Sequence, residues 1–309
     1  MNDVWPDLEF TAWKDTYATL HMWCQIVGKI ALKLNPLINH WWECSLRVTA
    51  RGIKTTLIHY KEHSFDMTFD FIDHRLLVEK SDGSRCKIAL EAKPVAQFYS
   101  ELMEGLARMN INVGIDIIPS EVPRPIPFPE DFEHRSYDPI CSRFHWLILR
   151  ETDKLLTKFR SRFIGKASPV EFFWGSFDLT VSVFSGRRAP ELRGASHIDR
   201  EAYSQEVFSC GFWPGSGNIL QPAFYAYVAP QPLGFREGRV QPSTAFYNQS
   251  ASEFIFTYED AKRSPNPEAS VLSFFNSAYE LAANLGAWNR AELERPHKRM
   301  HVRMPQNPT

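Results

Sequence analysis

No apolar run in this chain approaches the ~20 residues needed to span a bilayer, so a membrane helix is not expected. Cysteine is scarce, at five in 309 residues (Cys24, Cys44, Cys86, Cys141, Cys210), and no two are spaced as CxxC. That argues against a disulfide framework and a cysteine-based zinc site, and it suits a reducing compartment. An excess of either charge is also missing. The formal net charge of −1 argues against a general nucleic-acid binder or a ligand of acidic membranes. The opening residues, "MNDVWPDLEF", are acidic and lack the basic-then-apolar order of an export signal, so a cytoplasmic protein is expected. Walker, HExxH, GxSxG and EF-hand patterns are all absent, and the glycines at 211–217 do not open a helix after a strand as a dinucleotide fingerprint would. No cofactor is named by any of these signals.

Aromatic residues are what the chain has in quantity: 14%, with nine Trp. Rings bury large areas and also wall ligand pockets. Two of their clusters stand at the mouths of strands, in "HWWECSLRVTARG" (40–52) and "EFFWGSFDLTVSVFSGRRAP" (171–190).

The pattern predicts an α+β protein. Residues 11–33 place Leu20, Trp23, Val27 and Ile30 on one helix face, and Asn35-Pro36 ends that helix. Alternation predicts strands at 43–50, 54–60, 65–72 and 75–80, with "SDGS" (81–84) as a hairpin turn. A second amphipathic helix is expected over 94–109 and a closing strand over 111–118. Residues 119–139 hold six prolines and read as an extended connector. The order then starts again, with a helix at 140–164 and the strand "FFWGSFDLTVSVF". Leu46, Val48 and Ala50 fall on Phe177, Leu179 and Val181, and Val95, Phe98 and Tyr99 fall on Val271, Phe274 and Phe275. The expectation is a tandem duplication of a helix, antiparallel-sheet, helix module. Its parts would be an N-terminal half (1–118), the connector (119–139), a C-terminal half (140–293) with inserted loops at 185–262, and a basic tail (294–309).

The stretches "NHWWECSLRVTARG", "FDFIDHRL", "RFIGKASPVEFFWGSFDLTVSVFSGRRAP", "EAYSQEV" and "GFWPGSG…PAFYAY" resemble the uncharacterised bacterial domain-of-unknown-function 5996 family. The resemblance runs from Trp5 to about residue 290 and implies no activity. In that family's pattern histidine usually stands where this chain has Glu171 and Gln205.

Several groupings could carry chemistry. If the two strand mouths meet, His40 and Glu171 become proton-transfer candidates, because a nearby carboxylate moves an imidazole across neutral pH. Trp42, Trp174 and Trp213 would wall such a cleft, with Tyr203 and Glu206 beside them; the plainer reading is that these rings are core. Arg187 and Arg188, in a loop bounded by Gly186 and Pro190, and Arg51 could clamp a carboxylate or phosphate. Asp66, Thr68 and Asp70 share a strand face near His63 and His74, which suits either a metal site with His40 or simply the wet face of a sheet. The leading expectation is a small polar or anionic ligand held in an aromatic cleft between the halves. The rivals are a non-catalytic interaction module and a metal-binding protein. Substrate, reaction and oligomeric state are not written in the sequence.

Overall fold

The computed structural model describes residues 4–215 and 219–296. It confirms the α+β class. Helix α1 (Phe10–Leu34) leads through a 3-10 turn at Asn39–Trp41 into six strands: β1 (Leu46–Val48), β2 (Gly52–Thr55), β3 (Ile58–Tyr60), β4 (His63–Asp70), β5 (Arg75–Lys80) and β6 (Arg85–Ala89). Helix α2 (Val95–Arg108) and α3 (Pro139–Ser161) flank the connector. Then follow β7 (Glu171–Phe173), β8 (Asp178–Arg188), α4 (His197–Ala202), β9 (Gln205–Trp213), β10 (Ala223–Ala229), β11 (Phe246–Asn248) and β12 (Glu253–Thr257). Three helices close the described chain: α5 (Tyr258–Arg263), α6 (Pro267–Leu285) and α7 (Arg290–Leu293).

Helix limits follow local chemistry. The Asp138 side chain accepts hydrogen bonds from the amides of Ile140 and Cys141, with Pro139 as the first helical residue of α3. Asn266 caps α6 in the same way through Ala269, ahead of Pro267. A proline at that position gives up an amide that would have had no partner, while the Asx side chain satisfies those that follow.

All strands join one antiparallel sheet in the order β11-β12-β10-β9-β8-β7-β1-β2-β4-β5-β6, with β3 also on β4. The two halves meet at its centre, where Leu46 of β1 pairs with Phe172 of β7. The sequence match that laid Leu46 on Phe177 therefore compares β1 with the turn leading into β8. Across the seam it is β1 and β7 that face each other. The expected strand at 111–118 does not form. The segment is held from the side instead, by the Tyr60 hydroxyl at both the amide and the carbonyl of Asn112 and by Lys29 at the Asp116 carboxylate, 3.0 Å. The insertion at 185–262 is less loop-like than expected, since β9 and β10 are interior strands of the sheet. The proposed tail lies, from residue 297, outside the described residues.

One face of the sheet carries the helices. Leu179, Val181 and Val183 of β8 and Leu46, Met67, Phe69 and Val78 of the first half join α1, α2, α3 and α6 in a single core. Full burial of each such side chain is worth about 1.5–3 kcal/mol. The opposite face differs between the halves. In the first it is wet, with ion pairs such as Lys54–Asp66 at 2.9 Å and Arg85–Glu79 at 3.0 Å. In the second it is roofed, and there a cavity lies.

Candidate functional site

Strand alternation builds the floor. Asp178, Thr180 and Ser182 of β8 project away from the helices, as do Trp213 of β9, Tyr225 and Tyr227 of β10, and Glu253 at the start of β12. Ile198, Asp199, Ala202 and Tyr203, in and just after α4, form the roof. The rim brings in His40, Trp41 and Cys44 from the first half, Ser120 and Glu121 from the connector, and Phe173, Trp174 and Gly175 from the β7–β8 turn. The cleft has a volume of about 670 Å³.

Its walls are fixed by hydrogen bonds behind them. Trp174 Nε1 donates to the Cys44 carbonyl at 3.0 Å, tying one half to the other. Gln25 on α1 holds Ser120 through both backbone groups, donating to its carbonyl at 2.8 Å and accepting from its amide at 2.7 Å. The Tyr203 and Tyr227 hydroxyls lie 3.3 Å apart, joining roof to floor. Asp178 is buried and accepts from both the Tyr225 and the Ser176 hydroxyls. Four lining residues, His40, Trp41, Glu121 and Ser252, have φ of 65°, 57°, 56° and 58°. Side-chain-bearing residues rarely adopt this left-handed region, and such strain collects at functional sites.

Electrostatically the cavity is acidic. Glu121, Asp178, Asp199 and Glu253 line it, and no Lys or Arg does among the described residues. Burial pushes Glu253 up to about 8, with the nearby Asp178 adding to the effect. Burial likewise raises Asp178, against the pull of its Ser176 and Tyr225 hydrogen bonds. His40 is lowered to about 4 by burial and is neutral at pH 7. The Cys44 thiol is raised to about 12, chiefly by burial, which leaves it without thiolate character.

The residues singled out from the sequence divide sharply. His40, Trp174, Tyr203 and Trp213 line the cavity. Trp42 stands behind the rim, its ring stacked on His40 at 5.3 Å between centroids. Glu171 does not line it and does not meet His40. Its carboxylate is fully buried in the seam, accepting from Ser45 at 2.9 Å and pairing with Arg47 at 2.8 Å. Burial raises it to about 7 in spite of Arg47. The pair expected to exchange a proton is therefore not assembled, and Glu171 is a tie between halves.

The arginines also lie elsewhere. Arg187 binds Glu206 at 2.7 Å and the carbonyls of Gly286 and Ala287, fastening the β8–β9 hairpin to the end of α6. A cation there complements the helix dipole. Glu206 is consumed by that bond and by Ser185. Arg188 is exposed opposite Gln205 in the ladder. Arg51 pairs with Asp70 at 2.8 Å and Asp73 at 2.9 Å. That employs Asp70 in the first half's network, while His40 lines the cavity and His74 lies 2.9 Å from the Tyr137 hydroxyl. Among the described residues no group of three or more His, Cys, Asp or Glu could hold a metal ion.

Sequence reasoning missed Asp178, Tyr225, Tyr227 and Glu253. The signal for three of them was present. In "DLTVSV" polar residues alternate with apolar ones, and in "FYAYV" two phenols stand two apart. Nothing local marked Glu253 or Glu121.

Comparison with known proteins decides the family and no more. Residues 5–295 match the model of the family described as a family of unknown function, DUF5996. The chain belongs to that family. Neither a curated protein nor a solved structure matches it. No helix among the described residues is long and apolar enough to cross a membrane.

Proposed function

We propose that this DUF5996 member binds a small polar molecule in the cleft over β8, β9, β10 and β12, with Trp174, Trp213 and Tyr203 as walls. One observation carries the reading: a concave space of about 670 Å³ in which rings and ionisable groups converge. Pockets of that size bury most of a drug-sized ligand, and mixed aromatic and perturbed ionisable linings are the usual mark of a ligand or active site. A protein partner would instead favour a broad exposed patch. Proton transfer, if the ligand is processed, falls to Glu253 and to Asp178 with its Tyr225 partner, in place of His40 and Glu171. Five free thiols support a cytoplasmic setting. The helix–meander–helix order found on both sides of the seam supports descent from a duplicated module.

The test is a fragment screen by ligand-observed NMR on the full chain, repeated with Trp213→Ala and Tyr203→Ala. Hits lost in both variants are expected. Hits that persist in both, or none at all, would place the function elsewhere.

A further inference from the structure

We propose that the ligand is an organic cation, a small ammonium compound whose charged head sits between the rings of Trp174, Trp213 and Tyr203 and the carboxylates of Glu253 and Asp178. This rests on the reading of the cleft as a ligand site and narrows it to one chemical class.

Three independent observations lead there. First, the charge is one-sided: four carboxylates line the cavity, with no lysine or arginine among the described lining residues. An anion entering it would find no cation to meet it and would be repelled by whichever of these carboxyls is ionised, which reverses the expectation that arginines made from sequence. Second, Glu253 is half-buried at the cavity wall, accepts no hydrogen bond and joins no ion pair among the described residues. Elsewhere in this protein buried carboxylates are matched: Asp70 by Arg51, Glu171 by Arg47, Asp131 by His134 at 2.7 Å. Among the described residues, Glu253 is the one half-buried or buried lining carboxyl with neither a side-chain hydrogen bond nor an ion pair. Third, the walls are ring systems whose electron-rich faces attract a cation, most strongly where water is excluded. Tyr225 and Tyr227 stack with centroids 6.2 Å apart on the floor, and Trp213 packs beside them.

The titration of Glu253 supplies a signature. The groups around it are Asp178 on β8, Tyr225 and Tyr227 on β10, Asp199 and Tyr203 at α4, Glu121 on the connector and His40 on the rim. His40 is neutral at pH 7, and none of the others brings a positive charge. With burial holding Glu253 up to about 8, its carboxyl is mostly protonated at pH 7. A cation seated beside it favours the ionised form, so binding releases a proton and tightens as pH rises from 7 to 9. A neutral ligand gains nothing from that change.

The experiment titrates the full chain with choline, with its uncharged isostere 3,3-dimethylbutan-1-ol, with glucose and with benzoate, by calorimetry and indole fluorescence. Choline is expected to bind about ten-fold more tightly than the alcohol. Its affinity should rise between pH 7 and 9 with proton release. Glu253→Gln should abolish that rise, and Asp199→Asn, at an exposed position, should weaken choline alone. If the alcohol, glucose or benzoate binds as well as choline and Trp213→Ala removes it, the cationic class is overturned while the cleft reading stands. If no probe binds at millimolar concentration, the ammonium assignment is also overturned, and the fragment screen decides separately whether the cleft is a ligand site.

Discussion

Gly28 of α1 lies directly under the indole of Trp174: a β-carbon on Gly28 would stand 2.2 Å from Nε1 and 2.3 Å from Cδ1. No side chain fits there, and the helix dispenses with one so that the cleft wall can lie flat against it. Gly28→Ala must therefore push the ring outward and break its bond to the Cys44 carbonyl. We expect a loss of about 1–3 kcal/mol in urea unfolding, with a shifted tryptophan emission maximum. An unchanged emission maximum together with full stability would show that Trp174 is not held as described.

Glu253 makes folding depend on pH in a definite sense. Its folded pKa, about 8, is raised above the ordinary value of 4.5. The protonated form is the one the fold accepts, so its contribution is complete below pH 4.5 and is lost as pH rises towards 8. Glu253→Gln mimics that form. The variant should melt above wild type at pH 8.5, and the gap should close as pH falls to 5. A gap independent of pH would contradict the placement of this carboxylate.

His145 on α3 gives the opposite slope. It is buried among Trp13, Phe172, Phe177 and Phe212, with neither ring nitrogen hydrogen-bonded among the described residues. Burial lowers its pKa from 6.5 to about 3. A depressed histidine contributes stability above pH 6.5 that is lost as pH falls towards 3, at roughly 1.4 kcal/mol per pH unit for one proton. His145→Leu removes this loss. Comparing the two proteins by thermal melts at pH 7.5 and pH 5 isolates it, because His21 and His40, also lowered by burial, are present in both.

Arg187 should behave as a fastening and not as a ligand contact. Arg187→Met removes the Glu206 pair and both bonds to the end of α6, at half-exposed positions, for a cost of about 1 kcal/mol. Affinity for any cleft ligand should stay the same. A variant of unchanged stability with lost binding would restore the anion-clamp expectation.

Much of this architecture could be read from residue patterns, and the failures have physical causes. Helices α1, α2 and α3 were legible because an apolar face recurs and proline punctuates their ends. The Asn35-Pro36 stop of α1 is the clearest case; Asp138 and Pro139 read as connector, although they open α3. Residues 111–118 carry strand-like alternation, yet they join no strand among the described residues: the Tyr60 hydroxyl on β3 takes the backbone of Asn112 and Lys29 takes the Asp116 carboxylate instead. The cleft was half legible. Trp174, Tyr203, Trp213 and His40 stood out as rings or ionisable groups near strand mouths. The arginines misled because a cation beside a glycine looks the same from sequence whether it meets a ligand or a helix terminus. Glu171 misled because its partner, Arg47, lies 124 positions earlier, a distance that no local pattern spans. Glu253 was invisible for the same reason: its meaning comes from Asp178 and α4, which the fold brings to it.

The cleft draws the start of its rim and the end of its floor from far-apart stretches of the chain, which sets the order in which its parts leave the ribosome. A nascent chain emerging from its amino end presents His40 and Trp41 long before β12 exists, and vectorial synthesis lets early segments settle first. The hollow has a lip before it has a base, and Glu253 is among the last of its parts to arrive. On the proposed reading, a chain that stops before β12 lacks Glu253, so stabilisation by a ligand at that carboxyl can come only after the final floor strand has been made.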